Sequence, residues 1–394
     1  MPAPERSDGP GAPAPPTDAS PKAPGVGAGA AVPAQVPLLK IPGLPSDFYR
    51  GRTRARRAAL LTVVVVLGSF AVLAEVHLVD LGALVGPHVA RSEWAFAMTG
   101  VRDLNAMGLT GKGASVCIVD SGIDMLHPDF AQLRLVAWKD FVNLRLEPYD
   151  DNGHGTAMAG LIVANGSLRG IAPDAALIVA KALNSAGFGS SQAVADGIRF
   201  CVDPFGNGTR GADIISISLG SKAPLFVATD VSVAAQAALD RGVFVVAAAG
   251  NDGGPFDDGD VGIPANVPLA LAIGAVDSSG RIASFSSIGS SVNRTDPNLK
   301  PEVAAPGVQL ISTAPGAHYA TVSGTSPATA VAAGIVALLL QRHPELRPGA
   351  LAGNVLALKW ALARSAITEP GQAVPHDPWY GYGVIDGPRA LTYL

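Results

Sequence analysis

The chain has 394 residues, a charged fraction of 15% and a formal net charge of −4 at pH 7. This length allows one large domain with an additional segment, and the small negative net charge excludes the basic field that nucleic-acid binding requires. We therefore expect a glycine- and alanine-rich globular protein that has no nucleic-acid partner.

The first 57 residues divide into two parts by composition. Residues 1–46 are dominated by proline, alanine and glycine, which predicts a disordered tail because such a segment has too little apolar surface to bury. Residues 47–57 are a basic flank with closely spaced arginines, namely Arg50, Arg52, Arg54, Arg56 and Arg57.

An uninterrupted apolar run, "AALLTVVVVLGSFAVLA" from Ala58 to Ala74, follows the basic flank. Its length is at the short end of the roughly 17–25 residues that cross a bilayer. We predict a transmembrane signal anchor over 58–80, with the arginines in the cytoplasm and the rest of the chain outside. A signal peptide cleaved after Ala74, which leaves a secreted protein, is the alternative. A buried core helix is disfavoured by the arginines at its start.

After a predicted linker at 81–100, residues 101–394 alternate short apolar runs with helical stretches. The runs are "ASVCIVD", "AALIVAKAL", "DIISISL", "VFVVAAAGN" and "LALAIGAV". Continuous apolar strands separated by helices are typical of a sheet that is covered on both faces. The fold class is therefore α/β, with a doubly wound, mostly parallel sheet flanked by helices.

Cys117 and Cys201 have no metal-binding spacing. Buried free thiols are the simpler interpretation, because free cysteine behaves as a small apolar residue. A disulfide between the two stays open for a chain in an oxidising compartment.

Three polar residues occur where such a sheet places its active site, beyond the carboxyl ends of the strands. Asp120 ends an apolar strand, His154 starts a small-residue helix, and Ser326 opens a long apolar helix. A serine becomes a nucleophile when an imidazole takes its proton and a carboxylate orients that imidazole. Asn251, at the end of another strand, adds an amide that donates to an oxyanion. Each residue alone is more simply a helix cap or a turn residue, so the prediction rests on their joint occurrence.

Four segments, "VCIVDSGIDMLHPDF", "NGHGTAMAG", "VVAAAGNDG" and "VSGTSPATAVAAG", contain Asp120, His154, Asn251 and Ser326 in this order. In these segments and their order, the chain resembles the subtilisin-like serine peptidases from about Gly111 to the C-terminus.

The resemblance implies a serine endopeptidase that hydrolyses peptide bonds through an acyl-enzyme intermediate. Asp120 would be the orienting acid, His154 the general base, Ser326 the nucleophile and Asn251 the oxyanion donor. Two segments would bind an extended peptide or protein substrate, Ser218, Leu219 and Gly220 on one side and Ala248, Ala249 and Gly250 on the other. No cofactor is required for this chemistry, and we expect a monomer.

The chain departs from that family at several positions. Pro327 stands where a methionine is usual and Ala330-Val331 where Pro-His is usual, so a pseudopeptidase that binds extended peptides without cutting them is the alternative function. An esterase is disfavoured, because "GTSPA" is not the G-x-S-x-G elbow. We expect Ser326 to be a cap-like residue with Pro327 starting the helix behind it.

The segment between His154 and Pro173 is shorter than the calcium loop of bacterial subtilisins. We therefore assign no metal-site residue, although structural calcium stays open, and Asp129, which matches a family calcium ligand, is equally well a turn or cap residue. The acidic stretch from Asp257 to Asp260, with Asp252 nearby, is interpreted first as a solvated loop. Attraction of basic substrates or of a cation stays open.

Overall fold

A computed structural model describes residues 92–220, 229–255, 257–349 and 353–394. The predicted tail, basic flank and anchor, and most of the predicted linker, lie outside these residues. Within the described ranges, no helix combines the length and the apolar character that a bilayer span requires.

The centre of the fold is a parallel sheet of seven strands in the order β2-β3-β1-β4-β5-β6-β7. The strands are β1 (Ser115–Asp120), β2 (Leu135–Asp140), β3 (Ala176–Lys181), β4 (Ile214–Ile217), β5 (Phe244–Ala248), β6 (Leu271–Val276) and β7 (Val303–Pro306). A separate antiparallel hairpin consists of β8 (Leu310–Ala314) and β9 (His318–Val322).

Eight α-helices lie within the described residues. They are α1 (Glu93–Met98), α2 (Val101–Ala106), α3 (His154–Val163), α4 (Ser191–Val202), α5 (Asp230–Asp240), α6 (Thr325–Arg342), α7 (Gly353–Ser365) and α8 (Gly387–Leu391). Helix α3 packs against α6, and α4 packs against α5. Every residue of β3, β5 and β6 is buried, as expected for strands covered by helices on both faces.

The five apolar runs predicted as strands all form strands of the parallel sheet, so the predicted α/β class is confirmed. The two edge strands, β2 and β7, were not predicted, because their apolar runs are short: four residues from Leu135 to Trp138 in β2, which is only half-buried, and "VAA" before Pro306 in β7. The predicted linker also contains structure. Helix α1 lies within it, and the Ser92 hydroxyl accepts a hydrogen bond from the Ile311 N–H at 2.6 Å.

The strand order explains why a site can form at the carboxyl ends of the strands. The chain moves from β1 to β2 and β3 on one side, and then crosses β1 to continue with β4 on the other. In open α/β sheets, this reversal leaves a crevice beyond the carboxyl ends of the strands. Asp120 and Ser218, at the ends of β1 and β4, flank that crevice.

Cys117 of β1 and Cys201 of α4 form a disulfide across 84 residues of chain. Both side chains are completely buried. The simpler interpretation of two free thiols is therefore wrong. The spacing of the two cysteines in the sequence does not show that the helix following β3 packs against β1.

Candidate active site

Asp120 and His154 are joined by a hydrogen bond of 2.8 Å between Oδ1 and Nδ1. Asp120 is almost completely buried, with 1% of its surface exposed, and its Oδ1 also accepts a bond from the Ser121 N–H at 2.7 Å. A carboxylate only accepts hydrogen bonds, so this pairing assigns the ring proton to Nδ1 and leaves Nε2 as the acceptor nitrogen.

The position of His154 depends on Asp150, which precedes helix α3. Its carboxylate accepts hydrogen bonds at 2.7–3.1 Å from the backbone of Asn152, Gly153 and Thr156 and from the hydroxyls of Ser121 and Thr156. These donors include N–H groups at the start of the helix, which have no acceptor within it. Asp150 therefore holds the turn that carries His154 against the turn that follows Asp120. The sequence analysis did not identify it.

Two glycines allow these turns to touch. A Cβ atom at Gly155 would lie 2.2 Å from the Gly122 carbonyl oxygen, and one at Gly122 would lie 2.0 Å from the Tyr149 carbonyl oxygen. Neither position can hold a side chain without moving backbone, which explains Gly122 in "DSGID" and Gly155 in "NGHGTAMAG".

The pKa of His154 is set by opposing effects. Burial lowers the pKa of the ring, but the charge of Asp120, its hydrogen bond and the charge of Asp150 outweigh this effect and raise the pKa above the usual value. Since 33% of the side chain is exposed, the ring is still accessible to a substrate.

Ser326 lies in the first turn of α6, which begins at Thr325 after Gly324. Its hydroxyl donates to the Ser218 carbonyl oxygen at 2.9 Å, and the Ser218 hydroxyl donates to the Ser326 carbonyl oxygen at 3.2 Å. No hydrogen bond joins Ser326 to His154 among the described residues. The expectation that Ser326 is cap-like and that Pro327 starts the helix is wrong, because the N-cap is Gly324.

Pro327 therefore sits inside the first helical turn. The N–H groups of that turn have no acceptor within the helix, so proline removes no helical hydrogen bond there. Pro327, the departure from the family that motivated the pseudopeptidase alternative, thus leaves the start of the helix intact.

Asn251 lies beside the start of α6. Its Oδ1 accepts bonds from the Thr325 N–H at 2.8 Å and from the Thr325 hydroxyl at 3.0 Å. Because the oxygen is used in this way, the amide nitrogen faces the other direction with its two N–H donors. Asn251 is exposed, so these donors are accessible.

The two segments expected to bind substrate follow neighbouring strands. Ser218, Leu219 and Gly220 come directly after β4, while Ala248 ends β5 and Ala249 and Gly250 follow it. A Cβ atom at Gly220 would lie 3.4 Å from the Ile263 carbonyl oxygen, so this segment runs close to the 262–264 chain. Apart from Leu219, small residues thus border the space between the ends of β4 and β5.

Asp129, the residue that matches a calcium ligand, does not suit a metal ion. Its buried carboxylate accepts the N–H groups of Ser167 at 2.7 Å and Leu168 at 3.0 Å, and the Tyr319 hydroxyl at 2.8 Å. Calcium requires six to eight oxygen ligands, whereas these groups direct hydrogens at the carboxylate. Protein N–H and O–H groups thus already use this carboxylate.

We expect Asp129→Asn to destabilise the fold by about 1–3 kcal/mol, because one buried donor loses its acceptor. Thermal unfolding of the wild type and of Asp129→Asn should give the same difference in unfolding temperature in the presence of calcium and in the presence of a chelator. Tyr319→Phe, which removes only one donor, should show a smaller, equally calcium-independent loss. A difference between wild type and Asp129→Asn that disappears on chelation would show that Asp129 binds a metal.

The acidic stretch near β5 is partly neutralised. Asp260 forms two bonds with the Arg294 guanidinium at 2.7 and 2.8 Å. Carboxylate oxygens of Asp252, Asp257 and Asp258 lie within 4.8 Å of one another. Asp257 accepts the Ile288 N–H at 2.7 Å and Asp252 accepts the Ser287 hydroxyl, so local donors already use this cluster.

The sequence also matches known proteins. The model of the subtilase family, peptidase S8, matches residues 111–383. Subtilisin NAT of Bacillus subtilis subsp. natto is 39% identical over 245 residues, which are 61% of this chain and 59% of that protein. Subtilisin of Bacillus pumilus is 38% identical over 61% of this chain and 82% of its own length. Serine protease AprX of Bacillus subtilis (strain 168) is 38% identical over 62% of this chain and 60% of its own length.

The chain thus spans less than two thirds of the length of Subtilisin NAT and of AprX. The family match extends from just before β1 to just before α8 and includes Asp120, His154, Asn251 and Ser326. Because it covers more than half of the chain, the protein belongs to the subtilase family.

Proposed function

We propose that this protein is a serine endopeptidase that hydrolyses peptide bonds with Asp120, His154 and Ser326. The observation that carries the proposal is the 2.8 Å hydrogen bond between the buried Asp120 carboxylate and His154 Nδ1. Ser326, in the first turn of α6, and Asn251 beside it supply the remaining groups that acyl transfer requires.

In the first step, His154 Nε2 takes the proton from the Ser326 hydroxyl while Oγ attacks the scissile carbonyl carbon. The imidazolium then gives this proton to the leaving amine, the C–N bond breaks, and an acyl ester remains on Ser326. Water repeats the sequence and releases the acid. Asp120 holds the Nδ1 proton in place and stabilises the imidazolium throughout.

Ser326 has to change its hydrogen-bond partner before it reacts. In the free protein its hydroxyl donates to the carbonyl oxygen of Ser218, the first residue of the Ser218–Gly220 segment expected to bind substrate. Rotation about the Cα–Cβ bond would move the hydroxyl from this oxygen to His154 Nε2. The same rotation frees the Ser218 carbonyl to accept an N–H from an extended peptide.

Two candidate groups donate hydrogen bonds to the negatively charged oxygen of the tetrahedral intermediate. One is the Ser326 N–H, which at the start of α6 has no helical acceptor. The other is the Asn251 side-chain amide, whose orientation is set by Thr325. Preorganised donors of this type stabilise the transition state because they need no reorientation during the reaction.

The proposed substrate is a peptide or protein bound in an extended conformation between Ser218–Gly220 and Ala248–Gly250. All of the proposed site residues come from one chain, so we propose that the protein acts as a monomer. A fluorophosphonate probe tests the function directly, because it labels only a serine that a neighbouring base activates. We expect covalent labelling of Ser326, and an intact fold without labelling would contradict the proposal.

We propose further that the peptidase domain works outside the cytoplasm, held by the apolar segment at 58–80. The Cys117–Cys201 disulfide supports this location, because disulfides persist in oxidising compartments. The basic flank before the apolar run supports the orientation.

The anchor has a direct test. We expect the mature protein to stay in the membrane fraction after alkaline carbonate extraction, and N-terminal sequencing to find residues that precede Arg50. A soluble extracellular form that begins at Glu75 would instead support the secreted alternative. A cytoplasmic protein with reduced Cys117 and Cys201 would contradict both.

A further inference from the structure

Lys181 is a fully buried lysine beside the candidate site. It ends β3 and is in register with Asp120 of β1 on one side and Asp140 of β2 on the other. None of its side-chain surface is exposed. Burying an ammonium group costs several kcal/mol unless it is paired and hydrogen-bonded, so its partners identify the segments that it holds.

All three donors of the Lys181 ammonium are used. Nζ donates to the Ser121 carbonyl oxygen at 2.5 Å, to Asp151 Oδ1 at 2.6 Å and to the Leu183 carbonyl oxygen at 2.9 Å. The Tyr149 ring also lies 4.7 Å from Nζ, a distance at which a ring face attracts a cation.

Two of these acceptors belong to the turns that carry the proposed acid and base. Ser121 directly follows Asp120, and Asp151 is three residues before His154. Leu183 begins the segment whose Ser185 carbonyl accepts a bond from the Asn152 side chain at 3.0 Å. One buried cation therefore ties together three chain segments around the Asp120–His154 pair.

A second buried lysine provides a comparison. Lys359 of α7 is 3% exposed and pairs with the buried Glu302 at 2.6 Å. Its other acceptors, the Pro268 and Ala270 carbonyl oxygens and Asn298 Oδ1, precede β6 and β7 and thus lie at the amino ends of these strands. Lys359 has the same charge as Lys181 and is almost as deeply buried. It lies at the amino ends of the strands, whereas the candidate site lies at their carboxyl ends.

We infer that Lys181 is a positioning residue of the proposed peptidase: its ammonium group sets the distance between the Asp120 turn and the His154 turn. The inference rests on the proposed function. Within the described residues, the hydrogen bonds and ion pair of Lys181 do not include Ser218, Leu219 or Gly220, so we assign its effect to the geometry of the reacting groups rather than to substrate binding.

The test is Lys181→Met, which keeps a long side chain and removes the ammonium group. We expect kcat for a peptide substrate to fall about 10²-fold, the size of loss that a displacement of about 1 Å causes, with KM little changed. The Asp151 carboxylate is 33% exposed, so water can solvate it once its partner is gone.

Lys359→Met is the matched control. It removes an equally buried cation and should lower the unfolding temperature while kcat and KM stay at the wild-type values. If Lys181→Met fails to fold, Asp151→Ala replaces it, because this variant removes only the link to the His154 turn. It should reduce kcat in the same direction and to a smaller extent.

The outcomes separate the two proposals. A wild-type chain with neither turnover nor fluorophosphonate labelling contradicts the peptidase function itself. Wild-type turnover together with a folded Lys181→Met or Asp151→Ala protein of unchanged kcat overturns the positioning role alone. A loss that appears only in KM, or one that Lys359→Met reproduces, overturns it as well.

Discussion

Ser326→Ala is expected to lower kcat about 10⁶-fold, the size of the loss known for subtilisin when its nucleophile is removed. The reason is that the only hydroxyl within the proposed Asp120–His154–Ser326 group is lost, so no acyl ester can form. Fluorophosphonate labelling should disappear with it. Both are measured on protein whose thermal unfolding matches that of the wild type.

Asn251→Ala is the matched control for this result. It removes one donor to the oxyanion and leaves the nucleophile, so kcat should fall only about 10²–10³-fold, as in subtilisin, while labelling of Ser326 persists. Retained turnover in Ser326→Ala would exclude Ser326 as the nucleophile. Equal decreases in kcat in the two variants would mean that both changes had disrupted the start of α6, rather than removing the nucleophile in one and an oxyanion donor in the other.

Asp120→Asn is expected to lower kcat about 10⁴-fold, because an asparagine can donate to Nδ1 and so favour the tautomer with the proton on Nε2. That tautomer cannot accept the Ser326 proton. The change should also move the acid limb of kcat/KM. The charge and hydrogen bond of Asp120 raise the pKa of His154 against the lowering effect of burial. Removing the charge therefore lowers this pKa, and the limb should shift to lower pH.

Asp213→Asn separates this effect from the general cost of altering a buried carboxylate. Asp213 is as buried as Asp120, but it accepts the Ser115 N–H at the opposite end of β1. It should lower the unfolding temperature without changing kcat or the pH profile. An unchanged acid limb in Asp120→Asn would mean that His154 is not the base whose titration limits the reaction.

Much of the sheet was predictable because its central strands contain continuous apolar stretches. "LALAIGAV" has no polar position, and "ASVCIVD" is apolar from Val116 to Val119, so burial on both faces was the consistent interpretation. Strand β2 was missed because it is only half-buried and its apolar run is short. It lies at the edge of the sheet, and Lys139 is exposed within it.

The candidate site was predictable only in part. Asp120, His154 and Ser326 stand at strand and helix ends that the apolar pattern locates. Asp150 was missed because an aspartate beside another aspartate and an asparagine is typical of a turn, and nothing in the sequence shows its five hydrogen bonds. Lys181 was missed because a single lysine at the end of an apolar strand is ordinarily solvated.

The sequence by itself determined the parallel α/β fold, the order of the candidate site residues and the prediction of a membrane anchor, because all of these depend on local composition and period. Only the tertiary structure decided that Cys117 pairs with Cys201, that the Asp129 carboxylate accepts the Ser167 N–H, and that Lys181 bridges the Asp120 and His154 turns. The physical reason is that each of these contacts joins segments 30 or more residues apart. Their proximity follows from the packing of helices on the sheet and not from any neighbouring residue.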